Sequence, residues 1–350
     1  MKVLLLEFAS SFGGSPSLLP EGFALLRMMA SQFEEAGFQP LSLLHPNLRW
    51  LRDFLPGRVE SSLPSSLPEV ALPIAPPREL VELTGWLERK GVKVLGTDRE
   101  GARRMGDKWL TYLALRGKIN LPSSKLIPPR SGKWLVKPRW GAGGEGIRFG
   151  KRRKEGEFFQ EFVEGIPASC CLLAGEEPFV LSLNRQVLSL GRNIRYLGSD
   201  VPLRLPPSLS RQCKEMARRS AQLLGAKGIC GVDLVVGRKP YFIEFNPRPT
   251  TSFLALVRIL RGNLAEMLVE GRGKGSIRGE ACVRILEAPP LPPRGMEGME
   301  EVEGLLTPPV ATEKGFKMVV VGWGRDLKEA LQRMEETREE VRKRFSAWSS

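Results

Sequence analysis

The stretch GVDLVVGRKPYFIEFNPRPTT, residues 231–251, predicts two short strands joined by a turn. Its first part is β-branched and apolar, GRKP is typical of a turn, and YFIEFN has the pattern of a second strand. Because successive side chains of a strand point to opposite faces, Phe242, Glu244 and Asn246 are expected on one face. Asp233 lies on the partner strand, so two carboxylates and an amide oxygen are expected to converge on one point.

Oxygen ligands of this kind suit Mg²⁺, which also keeps water and takes substrate phosphate oxygens. The Asn-Pro-Arg-Pro sequence that follows stiffens the chain, because each proline fixes its own φ and restricts the residue before it. We therefore expect Arg248 to be held close to a metal bound by Asp233, Glu244 and Asn246. For this segment taken alone, a hairpin with two solvated acids is an equally good interpretation.

Composition narrows the class of protein. A chain of 350 residues with 42% hydrophobic residues predicts two or three packed units. No apolar run has the length of a membrane span, and the first residues lead into Glu7 rather than into a signal peptide, so we expect a cytoplasmic protein without membrane contact. The five cysteines lack metal-ligand or redox spacing. The single histidine, His45, argues against His-ligated zinc and against a Ser-His-Asp triad.

The net charge of +14 is compatible with a nucleic-acid partner, an anionic substrate or a solvated surface. The densest basic cluster, KRRK at 151–154, has no interleaved aromatic residues and falls where a hairpin turn is expected. We interpret this cluster as a solvated turn rather than an RNA site, so nucleic acid is not the expected partner.

Strands and helices alternate in the first part of the chain. KVLLLEF predicts a buried first strand, ASSFGGSPS (9–17) predicts a loop, and an apolar stripe predicts a helix over 21–37. Further short strands and a helix follow, and the alternation predicts a small parallel sheet over 1–97 within an α/β protein. The Gly13-Gly14 loop either faces a ligand at the carboxyl end of the first strand or is an ordinary strand-to-helix turn.

Three later segments complete the outline. Residues 98–116 have a helical pattern, and the Pro/Gly-rich residues 288–309 predict a loop or covering segment. A strand over 317–321 leads into a final helix that Asp326 is expected to cap.

A glycine-rich loop interrupts KWLVKPRWGAGGEGIRFG, residues 133–150. A strand precedes its glycines and a second strand follows them, and no Lys-Ser/Thr pair is present, so this is not a P-loop. Glycine tolerates positive φ and lets the backbone approach a ligand closely, so the loop is able to bring N–H groups onto phosphates. Lys137, just before the loop, is placed to reach a phosphate oxygen, although a plain turn fits the same pattern. The glycines in question are Gly141, Gly143, Gly144 and Gly146.

Taken in order, these motifs resemble the ATP-grasp superfamily of carboxylate–amine ligases, over nearly the whole chain. The motifs are Asp107-Lys108, Val136-Lys137-Pro138, the glycine loop, residues 160–165, Asp233 and the run Glu244-Phe245-Asn246-Pro247-Arg248. The resemblance implies a parallel α/β pre-ATP-grasp domain at 1–97 and an ATP-grasp module with antiparallel sheets. That module would comprise a subdomain at 98–165 with the glycine loop and a C-terminal subdomain at 166–350 with the Mg²⁺ site.

The resemblance also implies roles for single residues. Lys108 and Lys137 match the lysines that hold the ATP phosphates and the adenine edge, and the glycine loop matches the part that closes over the phosphates. Arg248 would lie near the transferred phosphate and act with Lys137 in catalysis. The hinge beside adenine corresponds to Glu161, Phe162 and Val163, and the Mg²⁺ (or Mn²⁺) ligands to Asp233, Glu244 and Asn246.

Two positions depart from the family pattern. The position of the usual ribose-binding glutamate corresponds to Pro167, which leaves Glu164 as the candidate. Many relatives have an arginine two residues before the first metal-binding acid, where this chain has Gly231. The positive charge of that arginine is expected to come instead from Arg185, Arg192 or Arg195.

The implied reaction transfers a phosphoryl group from ATP to a substrate carboxylate, and an amine then attacks the acyl phosphate. No protein nucleophile is required, which agrees with a chain almost devoid of histidine.

Two parts of the chain are similar to the members that join an amino acid to an amine. The first is LLLEFASSFGG with SLLPEGFALLRMMASQF, and the second is NRQ with RNIRYLGSDVP. The loop at residues 10–22 and the region at 185–195 are therefore expected to help bind the amino acid and the amine, although residues 18–22 fit the start of a helix equally well. A homodimer is compatible with the resemblance. The open alternatives are a ligase for another small-molecule, peptide or protein carboxylate and a non-catalytic nucleotide- or RNA-binding protein.

Overall fold

The computed structural model describes residues 1–191, 194–288, 298–313 and 315–346. Three main sheets organise these residues, and each uses a successive part of the chain. The strands are β1 (Lys2–Glu7), β2 (Gln39–Leu43), β3 (Arg58–Glu60), β4 (Val70–Ile74), β5 (Lys93–Val94), β6 (Ser124–Lys125), β7 (Trp134–Pro138), β8 (Arg148–Phe149), β9 (Glu157–Glu161), β10 (Ile166–Ala174), β11 (Phe179–Leu190), β12 (Ile194–Val201), β13 (Gly228–Val236), β14 (Pro240–Asn246), β15 (Leu260–Arg261), β16 (Ser276–Ile277), β17 (Glu280–Ala288), β18 (Leu305–Thr312) and β19 (Gly315–Gly324).

Helices lie between and against the sheets. The α-helices are α1 (Phe8–Phe12), α2 (Leu19–Glu35), α3 (Pro77–Arg89), α4 (Arg99–Gly106), α5 (Lys108–Leu115), α6 (Pro207–Leu224), α7 (Ser252–Leu256), α8 (Leu264–Glu270) and α9 (Leu327–Ser346), with 3₁₀ helices at Pro46–Phe54 and Met299–Glu301. None of the helices in the described residues combines the length and apolar character needed to cross a membrane.

The N-terminal sheet has the order β3-β2-β1-β4-β5, and all its strands are parallel. The central strand β1 is buried on both faces, as expected of a parallel strand covered by helices. This confirms the α/β prediction for the first part of the chain. The loop predicted over 9–17 is wrong at its start, because α1 begins directly after β1. The Glu7 carboxylate caps this helix by accepting hydrogen bonds from the backbone N–H groups of Ala9 and Ser10.

The smaller sheet has the order β6-β9-β7-β8, and its paired strands are antiparallel. The glycine loop connects β7 to β8, as the strand–loop–strand pattern predicts. The helical pattern predicted over 98–116 is confirmed, with a break at Asp107 that divides it into α4 and α5. Asp107 has an extended backbone, and its side chain caps α5.

The large sheet is antiparallel, with the order β14-β13-β10-β11-β12-β17-β19-β18. Alternate residues of β10 face two separate cores: Cys170 and Leu172 pack towards α6, whereas Cys171 and Leu173 join the core shared with α2 and the N-terminal sheet. The loop predicted over 288–309 is partly wrong, because β18 begins at Leu305 and extends this sheet. Residues 289–297 of that segment lie outside the described residues.

A β-bulge interrupts the hairpin of β13 and β14. Asp233 pairs with Glu244, but the next residue, Leu234, pairs with Phe242, so Ile243 is the extra residue. Phe242 and Phe245 both pack into the core beneath α6. The prediction that Phe242 shares a face with Glu244 is therefore wrong, because the bulge reverses the alternation between these two positions.

Candidate active site

A cavity of about 290 Å³ lies where the N-terminal sheet, the glycine loop and the large sheet meet. Most of the predicted site residues line it. These are Lys137, Gly143, Gly144, Glu161, Phe162, Val163, Asp233, Glu244, Asn246 and Arg248. Of the remaining predicted residues, Gly141 and Gly146 lie at the ends of the loop, Lys108 contacts Glu244, and Glu164 is exposed.

Asp233 and Glu244 form a carboxylate pair across the β13–β14 ladder. Asp233 accepts hydrogen bonds from Gln186 Nε2 at 2.9 Å and from Asn246 Nδ2 at 3.3 Å. Burial, together with the negative charge of Glu244, raises the pKa of Asp233 to about 7. Two neighbouring carboxylates with this mutual repulsion are suited to share a cation.

The side-chain oxygens of Asp233, Glu244 and Asn246 fit Mg²⁺ or Mn²⁺, since both ions accept carboxylate and amide oxygens as ligands. Within the described residues, no group of three or more His, Cys, Asp or Glu side chains is arranged to hold a metal. The protein would therefore contribute two carboxylates and the Asn246 amide, and the remaining ligands would be water and phosphate oxygens, as is usual for Mg²⁺.

Lys108 links the helical segment to the carboxylate pair. Its Nζ lies 3.0 Å from Glu244 Oε1 and donates a hydrogen bond to the Gly141 carbonyl oxygen at 2.6 Å. Lys108 is the first residue of α5, and the preceding Asp107 caps that helix and pairs with Arg139. This cap positions the predicted phosphate-binding lysine between the glycine loop and the predicted metal site.

Lys137 is buried in the wall of the cavity, with a relative exposure of 2%. Its Nζ donates to Gln160 Oε1 at 3.1 Å, and Gln160 in turn donates to the Ser124 hydroxyl at 3.3 Å. The pKa of Lys137 is lowered to about 8, chiefly by burial and also by the charge of Lys108, while the charges of Glu244 and Asp233 oppose this effect. Within the described part of the chain the bond to Gln160 is the one hydrogen bond of the Lys137 ammonium group, which leaves donors for an incoming anion.

The glycine loop uses conformations that favour glycine. Gly141, Gly143, Gly144 and Gly146 all have positive φ. At Gly144 a Cβ atom would lie 3.0 Å from the carbonyl oxygen of Ile194, at the start of β12. The loop therefore packs closely against the β11–β12 hairpin, and its middle residues form part of the cavity wall.

The hinge segment also lines the cavity through Glu161, Phe162 and Val163. The backbone N–H of Glu161 donates to Ser123 O, and that of Phe162 donates to Lys133 O. Among the described backbone hydrogen bonds, the N–H of Val163 has no acceptor, which agrees with the predicted role of this segment in binding a nucleotide base. Glu164, the predicted ribose-binding residue, does not line the cavity, whereas its neighbours Gly165 and Pro167 do.

The sequence reasoning named several further cavity residues only as members of longer stretches and gave none of them a role of its own: Glu7, Glu21, Gln160, Gln186 and Tyr196. Glu7 had a detectable signal, because it follows an apolar run at the carboxyl end of a parallel strand. Glu7 is 3% exposed, and burial raises its pKa to about 7 against the opposing hydrogen bonds of Ser10 and Ala9. Gly22 on α2 approaches it so closely that a Cβ there would lie 2.3 Å from Glu7 Oε1.

The arginine expected near Asp233 is not found among the described candidates. Arg185 and Arg195 are exposed, and neither lines the cavity. Arg192 lies outside the described residues. Instead Gln186, the neighbour of Arg185 on the opposite face of β11, contacts Asp233 with its neutral amide.

Comparison with known proteins agrees with this geometry. The ATP-grasp domain family matches residues 105–252 of the chain. Tyramine–L-glutamate ligase of Methanocaldococcus fervens is 30% identical over 286 residues, which cover 77% of this chain and 93% of that protein. The protein of the same name from Methanocaldococcus jannaschii is 30% identical over 301 residues, with coverages of 79% and 92%.

Solved structures show the same fold. An ATP-grasp superfamily protein from Archaeoglobus fulgidus superposes with a TM-score of 0.72 at 28% identity, covering 92% of this chain and 98% of that chain. Phosphoribosylamine–glycine ligase from Thermotoga maritima superposes with a TM-score of 0.72 at 16% identity, over 97% of this chain and 96% of that chain, which is a likeness of fold alone. The chain therefore belongs to the ATP-grasp family and is an ATP-dependent carbon–nitrogen ligase.

Proposed function

We propose that this ligase joins L-glutamate to tyramine, with ATP and Mg²⁺, and that the γ-carboxylate of glutamate becomes the amide. The main support for this proposal is the 30% sequence identity to two tyramine–L-glutamate ligases, over more than 90% of their length. We further propose that the reaction belongs to methanofuran biosynthesis. The cavity supports an amide-forming ligase, because Lys137, Arg248 and the Asp233–Glu244 pair line it and Lys108 contacts that pair.

The chain's own groups would act mainly by binding and orientation. Val163 N–H would hold the base, and Lys108, Lys137 and the backbone of Gly143 and Gly144 would hold the phosphates. Mg²⁺ bound by Asp233, Glu244 and Asn246 would supply neutralisation of the phosphate charge. Arg248 would orient the substrate carboxylate towards the terminal phosphate, because it lines the same cavity.

Transfer of the phosphoryl group to the carboxylate forms an acyl phosphate and ADP. The ammonium form of the amine first gives one proton to solvent, which frees the nitrogen lone pair. The nitrogen then forms a bond to the acyl carbon, the bond from that carbon to the phosphate oxygen breaks, phosphate leaves, and the nitrogen loses a second proton. No step requires a protein nucleophile, and no histidine or cysteine is among the described residues that line the cavity. The catalytic contribution is therefore positioning and charge stabilisation.

The test is phosphate release from ATP and Mg²⁺ with L-glutamate across a panel of amines that includes tyramine. We expect ADP and phosphate only when glutamate and tyramine are both present, together with a γ-glutamyl amide in the mass spectrum. Repeating the assay with Mn²⁺ in place of Mg²⁺ tests whether Mn²⁺ supports the reaction. Turnover with another carboxylate, and none with glutamate and any amine, would refute the proposed substrates.

A further inference from the structure

Two carboxylates that the ATP site does not use lie at the N-terminal end of the cavity. Glu7 ends β1 and Glu21 lies in the first turn of α2, and both line the cavity with Arg248. Burial lowers the pKa of Arg248, and the charges of Glu21, Glu244, Asp233 and Glu7 oppose that effect. The arginine is thus within electrostatic reach of both the Asp233–Glu244 pair and the second pair of acids.

The two N-terminal acids differ in their hydrogen bonds. Glu7 is saturated locally, since its oxygens accept from Ala9 N, Ser10 N and the Ser10 hydroxyl at 3.2, 2.7 and 2.6 Å. Glu21 accepts one hydrogen bond within the described part of the chain, from the Thr251 hydroxyl to Oε2 at 2.7 Å. Its Oε1 atom has no donor there, so Glu21 retains acceptor capacity inside the cavity.

The surroundings of Glu21 are apolar and aromatic. Leu18, Leu25, Leu188 and Tyr196 line the same cavity. The Tyr196 ring is held by a hydrogen bond of 2.6 Å between its hydroxyl and that of Ser199. Glu21 is close enough to Tyr196 for its charge to add to the rise in the tyrosine pKa that burial causes. A carboxylate beside an aromatic ring and leucines matches a ligand with an ammonium group on an apolar body.

We propose that Glu21 is the ammonium receptor of this ligase, with the apolar body of the amine substrate packed against Tyr196 and the leucines. The subsite would select primary amines that carry an aromatic or aliphatic group and would reject neutral molecules of the same shape. Thr251 acts as a positioning residue, because its hydroxyl occupies one carboxylate oxygen and leaves the other for the ammonium group. This inference rests on the proposed function, since it assigns the amine half of that reaction.

The experiment compares tyramine with tyrosol, in which a hydroxyl replaces the ammonium group. Each is titrated calorimetrically into the full-length protein with Mg²⁺, a non-hydrolysable ATP analogue and L-glutamate. We expect the wild-type protein to bind tyramine about 10- to 100-fold more tightly than tyrosol, as is typical of a charged hydrogen bond. Glu21→Gln should bind the two alike, because it keeps the shape and the Thr251 hydrogen bond but loses the charge.

Glu34→Gln is the matched control, because Glu34 is an exposed carboxylate near the other end of α2. This variant should keep the wild-type preference, and both variants should bind the ATP analogue as the wild type does. Equal weakening of tyramine and tyrosol in Glu21→Gln would overturn the subsite. So would an unchanged affinity for tyramine accompanied by a raised KM for glutamate.

The binding measurement separates this inference from the proposed function because it needs no turnover. A wild-type protein that prefers tyramine through Glu21 but forms no amide refutes the proposed reaction and supports the subsite. A wild-type protein that forms the amide, with a Glu21→Gln variant of unchanged tyramine preference, supports the reaction and refutes the subsite.

Discussion

Lys108 Nζ lies 3.0 Å from Glu244 Oε1, and both side chains are largely buried. This ion pair joins the start of α5 to β14, so a residue expected to hold phosphate and one expected to hold metal meet directly. The same lysine donates to the Gly141 carbonyl. The ammonium group of Lys108, at the start of α5, therefore contacts both the glycine loop and the β13–β14 hairpin.

Replacing Glu244 with glutamine should reduce ATP turnover by at least about 100-fold, because it removes a charged oxygen from the predicted metal site. The fold should persist, with a melting temperature within about 4 °C of the wild type. Phosphate release and thermal unfolding measure the two effects. Glu287→Gln, at an exposed position on the same sheet, should be active, and wild-type turnover in Glu244→Gln would refute the metal assignment.

Replacing Asp107 with alanine should lower stability and weaken ATP binding together. Its carboxylate accepts from Trp109 N at 2.9 Å and Leu110 N at 3.3 Å, and loss of such a cap costs about 1 kcal/mol. Because Lys108 begins the capped helix, we expect the KM for ATP to rise by about tenfold. Steady-state kinetics and urea unfolding measure the two effects.

Asp98→Ala is the control for this prediction. Asp98 caps α4 through Gly101 N at 2.8 Å but has no contact with the cavity. A similar loss of stability with an unchanged KM for ATP is expected. An equal rise of KM in both variants would show that general destabilisation, rather than the position of Lys108, is responsible.

Replacing Gly144 with alanine should weaken ATP binding, because a Cβ atom there would meet Ile194 O at 3.0 Å and displace the loop. Gly156 has a similar φ, +78° against +80°, and a Cβ atom added to it would meet nothing within 4 Å. Both substitutions should therefore cost about 1 kcal/mol of backbone strain. Only Gly144→Ala should raise the dissociation constant for ATP in a calorimetric titration, and unchanged binding would argue against a phosphate role for the loop.

Glu7 should make stability depend on pH. Burial raises the pKa of Glu7 from 4.5 to about 7, so the folded protein binds more protons than the unfolded chain between these values. Stability should accordingly fall as pH rises through this window, by about 3 kcal/mol from this residue. Glu7→Gln lacks the titration, so its stability relative to wild type should increase by that amount between pH 4 and pH 8. Urea unfolding at both values measures the difference, and a constant difference would contradict the burial effect.

Much of the architecture follows from local patterns. The apolar strand and helix alternation before residue 97 is sufficient to predict a parallel sheet, because burial on both faces requires continuous apolar strands. The GRKP turn between two strand-like runs predicts the β13–β14 hairpin, and the spaced glycines predict a strand–loop–strand. The division into units at residues 97 and 165 stays a prediction, as do the catalytic and metal-binding roles of Lys137, Arg248 and Asp233.

Short-range patterns therefore specify strands, turns and the order of the motifs, since β-branching, proline and glycine act within a few residues. They do not specify the bulge at Ile243, because one extra residue in a strand leaves the composition unchanged while reversing which side chains face the cavity. They also do not reveal that Glu21 meets Thr251 or that Gln186, rather than Arg185, meets Asp233. Those contacts join distant segments, and they arise only when the N-terminal sheet, α2 and the large sheet pack around a common core.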